Sequence, residues 1–133
     1  MKLFIDKDSK VEDVKKIFTN RFPFLKIELY KKPFADGNTA IKKDPLASGA
    51  SLKKFIHEAD KTSIDINADI TVAELEDQFA GIGLIAEVFR KSGNVWVETS
   101  LTNNWSLLQQ NTEGEEISSH FTAKIIHPDS SHQ

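Results

Sequence analysis

The chain has 133 residues, 17 Lys and Arg against 20 Asp and Glu, a net charge of −3 and 39% hydrophobic content; this length and balance suit one soluble globular domain. It contains no cysteine, which excludes disulfides, thiolate nucleophiles and Cys-ligated zinc or iron–sulfur centres. No stretch approaches the ~20 apolar residues of a bilayer span, and Met1–Asp6 meets charge too early for a signal-peptide core, so a cytoplasmic protein with no membrane association is expected.

The first element expected is a strand at Lys2–Asp6, followed by a helix whose Val11, Val14, Ile17 and Phe18 recur at helical spacing. Ser9-Lys10-Val11-Glu12 fits a capping box at its start, and Pro23 ends or follows it. Residues 24–32 alternate as a strand, with Leu25, Ile27 and Leu29 on one face and Lys26, Glu28 and Tyr30 on the other. Pro33–Gly49 is irregular, with a turn at Asp36-Gly37-Asn38 and a short strand at Thr39–Lys42 expected to close a hairpin with the preceding strand. Ser51 is placed to cap a short helix running to about Ala59 that packs Leu52, Phe55 and Ile56.

A second strand–helix series begins at Ser63–Asn67. Thr71-Val72-Ala73-Glu74 is another capping box, the helix buries Val72, Leu75 and Phe79, and Gly81 and Gly83 end it. Leu84–Lys91 and Val95–Leu101 form the clearest hairpin, joined around Ser92-Gly93-Asn94. A third box, Ser106 to Gln109, opens a helix that Gly114 is expected to end, with Trp105 stapled against its first turn. His120–Ile126 then reads as a closing strand, and 128–133 as a flexible polar tail.

The two series echo each other. Leu3, Ile5, Asp8, Val11, Asp13, Val14 and Phe18 recur 61 positions later as Ile64, Ile66, Asp69, Val72, Glu74, Leu75 and Phe79, and Glu28–Lys32 recurs as Glu87–Lys91. The expected fold is therefore a single compact α+β domain over 1–127, built from two degenerate strand–helix–hairpin–helix repeats of about 1–62 and 63–127. A mixed or antiparallel sheet with helices packed on it is expected.

No catalytic constellation emerges, and no cofactor or metal is expected. Gly81-Ile82-Gly83 follows a helix, whereas a dinucleotide loop precedes one. His57, His120, His127 and His132 lack zinc-site spacing, a site from His120, His127 and Asp129 being the weaker alternative to bystander histidines. The clusters Glu74/Glu76/Asp77 and Glu113/Glu115/Glu116 read as a cap and as solvated surface.

The remaining signals concern binding. Residues 1–63 carry a net +5 and residues 64–133 a net −8, a polarity that bears on association more than on identity. Trp96 shares a strand face with Glu98; with a two- or four-residue hairpin loop, Phe89 and Lys91 join that face, and Tyr30 holds the position equivalent to Phe89. Average burial of large aromatics favours Trp96 lying beneath a helix; an aromatic among charges is the alternative, an anchor for a partner. The leading functional expectation is thus a non-enzymatic module that binds another protein through Trp96, Phe89, Tyr30 and Lys91, with self-association as a variant. Nucleic-acid or polyanion binding through Lys31, Lys32, Lys42, Lys43, Lys53 and Lys54 ranks below it, because Arg is scarce and the pI is near 5.8. A small enzyme whose carboxylates converge only in three dimensions is the third reading.

Overall fold

A computed structural model describes residues 1–6, 8–31, 44–56 and 61–126. Five strands, β1 (Lys2–Asp6), β2 (Leu25–Lys31), β3 (Lys61–Asp65), β4 (Leu84–Ser92) and β5 (Val95–Glu98), and three helices, α1 (Val11–Arg21), α2 (Val72–Ala80) and α3 (Leu107–Ile126), make an α+β domain. Among the described residues these strands form two sheets instead of one, both antiparallel: β1–β3, and a three-stranded sheet in the order β2–β4–β5. In the first, Leu3 lies opposite Ile64; in the second, Glu28 lies opposite Glu87. The expected strand at Thr39–Lys42, the helix end near Ala59 and the tail lie outside the described residues.

One core unites the elements. The period-2 alternation of β2 and β4 turns Leu25, Ile27, Leu29, Leu84, Ala86 and Val88 inward, against Val11, Val14 and Phe18 of α1 and Val72, Leu75 and Phe79 of α2. Burying each large side chain of this set contributes ~1.5–3 kcal/mol. Leu3, Ile5, Ile64 and Ile66 extend the same cluster beneath the two-stranded sheet.

The helix starts show how far local signals reach. At α2 the capping box forms as expected: Glu74 N–H donates to Thr71 Oγ1 at 3.1 Å, and Thr71 N–H to Glu74 Oε1 at 2.9 Å. At α1 it does not. The N-cap is Lys10, whose N–H donates to Asp13 Oδ2 at 3.2 Å, while Ser9 Oγ instead accepts from Asp6 N–H at 3.0 Å. The next free amides of α1 are taken by a distant loop, Val11 N–H by the Ala50 carbonyl (3.0 Å) and Glu12 N–H by that of Ser48 (2.8 Å). A backbone carbonyl brought in by tertiary folding satisfies a helix-end donor as well as a side chain does, so the Ser9–Glu12 box is not required. The α2 and α3 starts trade bonds likewise: Val72 N–H donates to the Trp105 carbonyl at 3.2 Å, and Leu107 N–H to that of Ile70 at 2.8 Å.

Two further expectations are corrected. Ser51 does cap, accepting from Lys53 N–H at 3.2 Å, but the element it opens is a single 3₁₀ turn at Leu52–Lys54. More consequentially, α3 runs through Gly114, and the residues read as a closing strand, His120–Ile126, are its last turns. A Cβ at Gly114 would stand 3.0 Å from Phe24 Cβ, 3.1 Å from Arg90 Cγ and 3.2 Å from the Lys91 carbonyl. The glycine serves close approach of helix to sheet rather than termination.

Candidate interaction surface

Alternation in the three-stranded sheet sends one set of side chains to the core and the other to the opposite face. The latter carries Lys26, Glu28 and Tyr30 from β2, Ile85, Glu87, Phe89 and Lys91 from β4, and Trp96 and Glu98 from β5. The hairpin closes through a two-residue turn, Gly93-Asn94, between paired Ser92 and Val95; Gly93 sits at φ 69°, the left-handed conformation that such turns require. That loop length puts Trp96 opposite Lys91 and Glu98 opposite Phe89, all on the outward face. Behind the sheet α3 holds the hairpin. Asn111 Oδ1 accepts from Phe24 N–H at 2.8 Å, Ser118 Oγ accepts from Gly93 N–H at 3.3 Å, and Arg90 Nη1 donates to Gln110 Oε1 at 2.9 Å.

Trp96 is 38% exposed, so the burial expected of it is not found. Its neighbour across the sheet, Lys26, draws both rings together: the ammonium lies 5.2 Å from the Phe89 ring centroid and 5.3 Å from that of Trp96. Such contacts contribute about 0.5–1 kcal/mol at an exposed site. The alternation of β2 puts Lys26 on this face, but only the β2–β4 register sets it opposite Phe89 and so beside the aromatics.

Toward the other end of the face the character changes. Glu28 and Glu87 stand directly opposite each other, an unfavourable like-charge pair that neighbours offset. Lys15 Nζ reaches Glu28 Oε1 at 2.8 Å and Lys26 Nζ lies 3.7 Å from Glu28 Oε2. The Tyr30 hydroxyl donates to Glu87 Oε1 at 3.0 Å. Tyr30 is 8% exposed, which removes it from the accessible aromatics. Burial, then its bond to Glu87, then the charges of Glu87, Glu28 and Glu98 push its pKa up to about 12. The structure thus brings Trp96, Phe89 and Lys91 together on an open surface and sets Tyr30 apart.

The other candidates lie elsewhere. Lys31 ends β2, and exposed Lys53 and Lys54 occupy the 3₁₀ turn; Lys32, Lys42 and Lys43 are outside the described residues, as are His57, His127 and His132. His120 is exposed on α3 beside Glu115, Glu116, Thr112 and Ser119, which line an open depression of about 430 Å³. Among the described residues no three His, Asp or Glu side chains gather as a metal site, and no helix is long and apolar enough to cross a membrane. Trp105, expected as a staple, has the Arg90 guanidinium 5.6 Å from its ring centroid. No known protein family, curated protein or solved structure matches this chain.

Proposed function

We propose that this protein is a non-enzymatic binding module that engages another protein through the β5 end of the three-stranded sheet, with Trp96 as anchor and Phe89, Lys26 and Lys91 around it. The observation that carries the reading is an exposed tryptophan held by a cation–π contact on a sheet whose opposite face packs into the core through β2 and β4. Binding energy at such surfaces concentrates in a few aromatic anchors, and a ring already fixed in place loses little freedom on association. The test is capture of a partner from native lysate, identification of it, and direct titration of the purified pair. Trp96→Ala should weaken that affinity about thirtyfold, the effect of a hot-spot loss of ~2 kcal/mol. The same substitution should leave folding nearly intact, since the side chain is only partly buried. Unchanged affinity, or a variant that unfolds, would remove Trp96 from the surface role.

We further infer that the two halves are degenerate copies, and that only one of two equivalent positions is available for binding. Supporting this, residues 61 apart, Leu3 and Ile64, face each other across β1–β3, while Glu28 and Glu87, 59 apart, face each other across β2–β4. Both are what a two-fold relation between halves requires. The helix-start bridges repeat too, Lys10 with Ser51 and Thr71 with Ser106. Under this relation Tyr30 corresponds to Phe89, yet Tyr30 is buried. An experimental structure in which residues 2–31 did not superpose on 63–90 would end this reading.

A further inference from the structure

The three-stranded sheet has two edges, and they are treated differently. On β2, the outward carbonyls of Leu25 and Leu29 accept from Thr19 Oγ1 at 3.1 Å and from Leu46 N–H at 2.8 Å. Two carbonyls of that edge are thus taken, one by α1 and one by the segment that follows β2. On β5 the hydrogen-bonding phase is set by the two-residue turn: the closing pair Ser92–Val95 exchanges bonds, so Arg90–Val97 does as well, and the intervening residues do not. Thr99 Oγ1 donating to the Val88 carbonyl at 2.8 Å continues the same phase. The N–H and C=O of both Trp96 and Glu98 therefore point away from the sheet, and among the described residues none of these four groups has a partner.

Charge narrows what fits there. The Glu98 carboxylate is exposed and makes no ion pair among the described residues. Trp96, by contrast, already has Lys26 over its ring and Lys91 directly across, so a further cation beside it would be repelled. Val95, 53% exposed, and Val97 offer the other side of the strand to apolar contact.

Resting on the binding-module reading, we propose that β5 is a strand-addition site for an extended segment of another protein. The segment runs antiparallel to β5, sets Lys or Arg opposite Glu98, and sets an apolar residue opposite Trp96, with a β-branched residue between them. Main-chain bonds to Trp96 and Glu98 supply affinity, and the alternate side chains supply selectivity. A second copy fits less well. Opposed residues of an antiparallel pair share a face, so self-pairing of β5 sets Glu98 against Glu98 of the second copy, Trp96 or Asn94, and residues 93–101 hold no Lys or Arg to meet it.

The test uses the intact, isotope-labelled protein and a blocked peptide, acetyl-Thr-Arg-Val-Ile-Thr-amide, followed by NMR titration. Saturable shifts centred on the Trp96 and Glu98 amides are expected. N-methylation of the peptide at Arg and Ile removes two of the four pairing bonds, and should weaken binding at least about tenfold. Exchanging the peptide Arg for Glu should weaken it as well, and Glu98→Arg in the protein should reverse that preference. Three results would overturn the proposal: no shifts at β5, equal binding of the N-methylated peptide, or sedimentation showing a dimer whose formation protects the Trp96 and Glu98 amides from exchange. If peptide leaves β5 unmoved while partner capture still depends on Trp96, strand addition fails and the binding-module reading stands; loss of both fails both.

Discussion

Tyr30 offers the sharpest physical test, because it is the only tyrosine in the chain and its ionisation can be followed without interference from another. Its pKa is pushed up from 10.0 to about 12, by burial first and then by the bond to Glu87 and the surrounding carboxylates. A value higher in the folded than in the unfolded chain means that the protonated phenol is held by the native state. The corresponding stability is fully present below about pH 10 and disappears as pH rises through about 12. A shift of this size corresponds to ~2–3 kcal/mol. The assay is the near-ultraviolet absorbance of tyrosinate against pH, alongside denaturant unfolding of wild type and Tyr30→Phe across the same window. The stability difference between them should fall by about that amount, and the absorbance step should sit well above that of the unfolded protein. Glu87→Gln should lower the value only part of the way, since burial is the larger cause. A wild-type step at the unfolded value would refute the reasoning, and so would complete reversion in Glu87→Gln.

Packing and capping give further tests. Gly114→Ala gains ~1 kcal/mol of helix propensity but forces Cβ to within 3.0 Å of Phe24 and 3.2 Å of the Lys91 carbonyl, neither of which is a flexible side-chain end. Net destabilisation of about 1–2 kcal/mol is expected by thermal unfolding, against near-neutrality for Gly49→Ala, where nothing lies within 4 Å; a rise in Tm for Gly114→Ala would contradict the close approach. At the start of α1, Asp13→Ala should cost about 0.5–1 kcal/mol and Glu12→Ala less, because the Lys10 amide donates to Asp13. Equal losses in denaturant titrations would count against that assignment. Thr71→Ala should remove a true cap and cost ~1 kcal/mol in the same titrations, while no loss would mean that the carbonyls of Trp105 and Asn103, bonded to the Val72 and Ala73 amides, suffice to hold the helix start.

What could be read from the sequence was whatever neighbours along the chain decide. The alternation that buries Leu25, Ile27 and Leu29 depends only on the two-residue period of a strand, and the Thr71–Glu74 box on groups three residues apart. The two-residue turn at Gly93 is equally local, and through it Phe89, Lys91, Trp96 and Glu98 were legible as one face. Tertiary structure decided the rest, for one physical reason: a backbone group or a side chain accepts whichever partner folding brings nearest, regardless of separation in sequence. Carbonyls of Ser48 and Ala50 took the α1 amides that Ser9 was expected to cap. Phe24 and Arg90 made Gly114 a contact point inside a helix it was expected to end. The register of β2 against β4 set Lys26 between Phe89 and Trp96, and Trp96 itself proved exposed, because all the core-forming helix faces gather on the other side of its sheet.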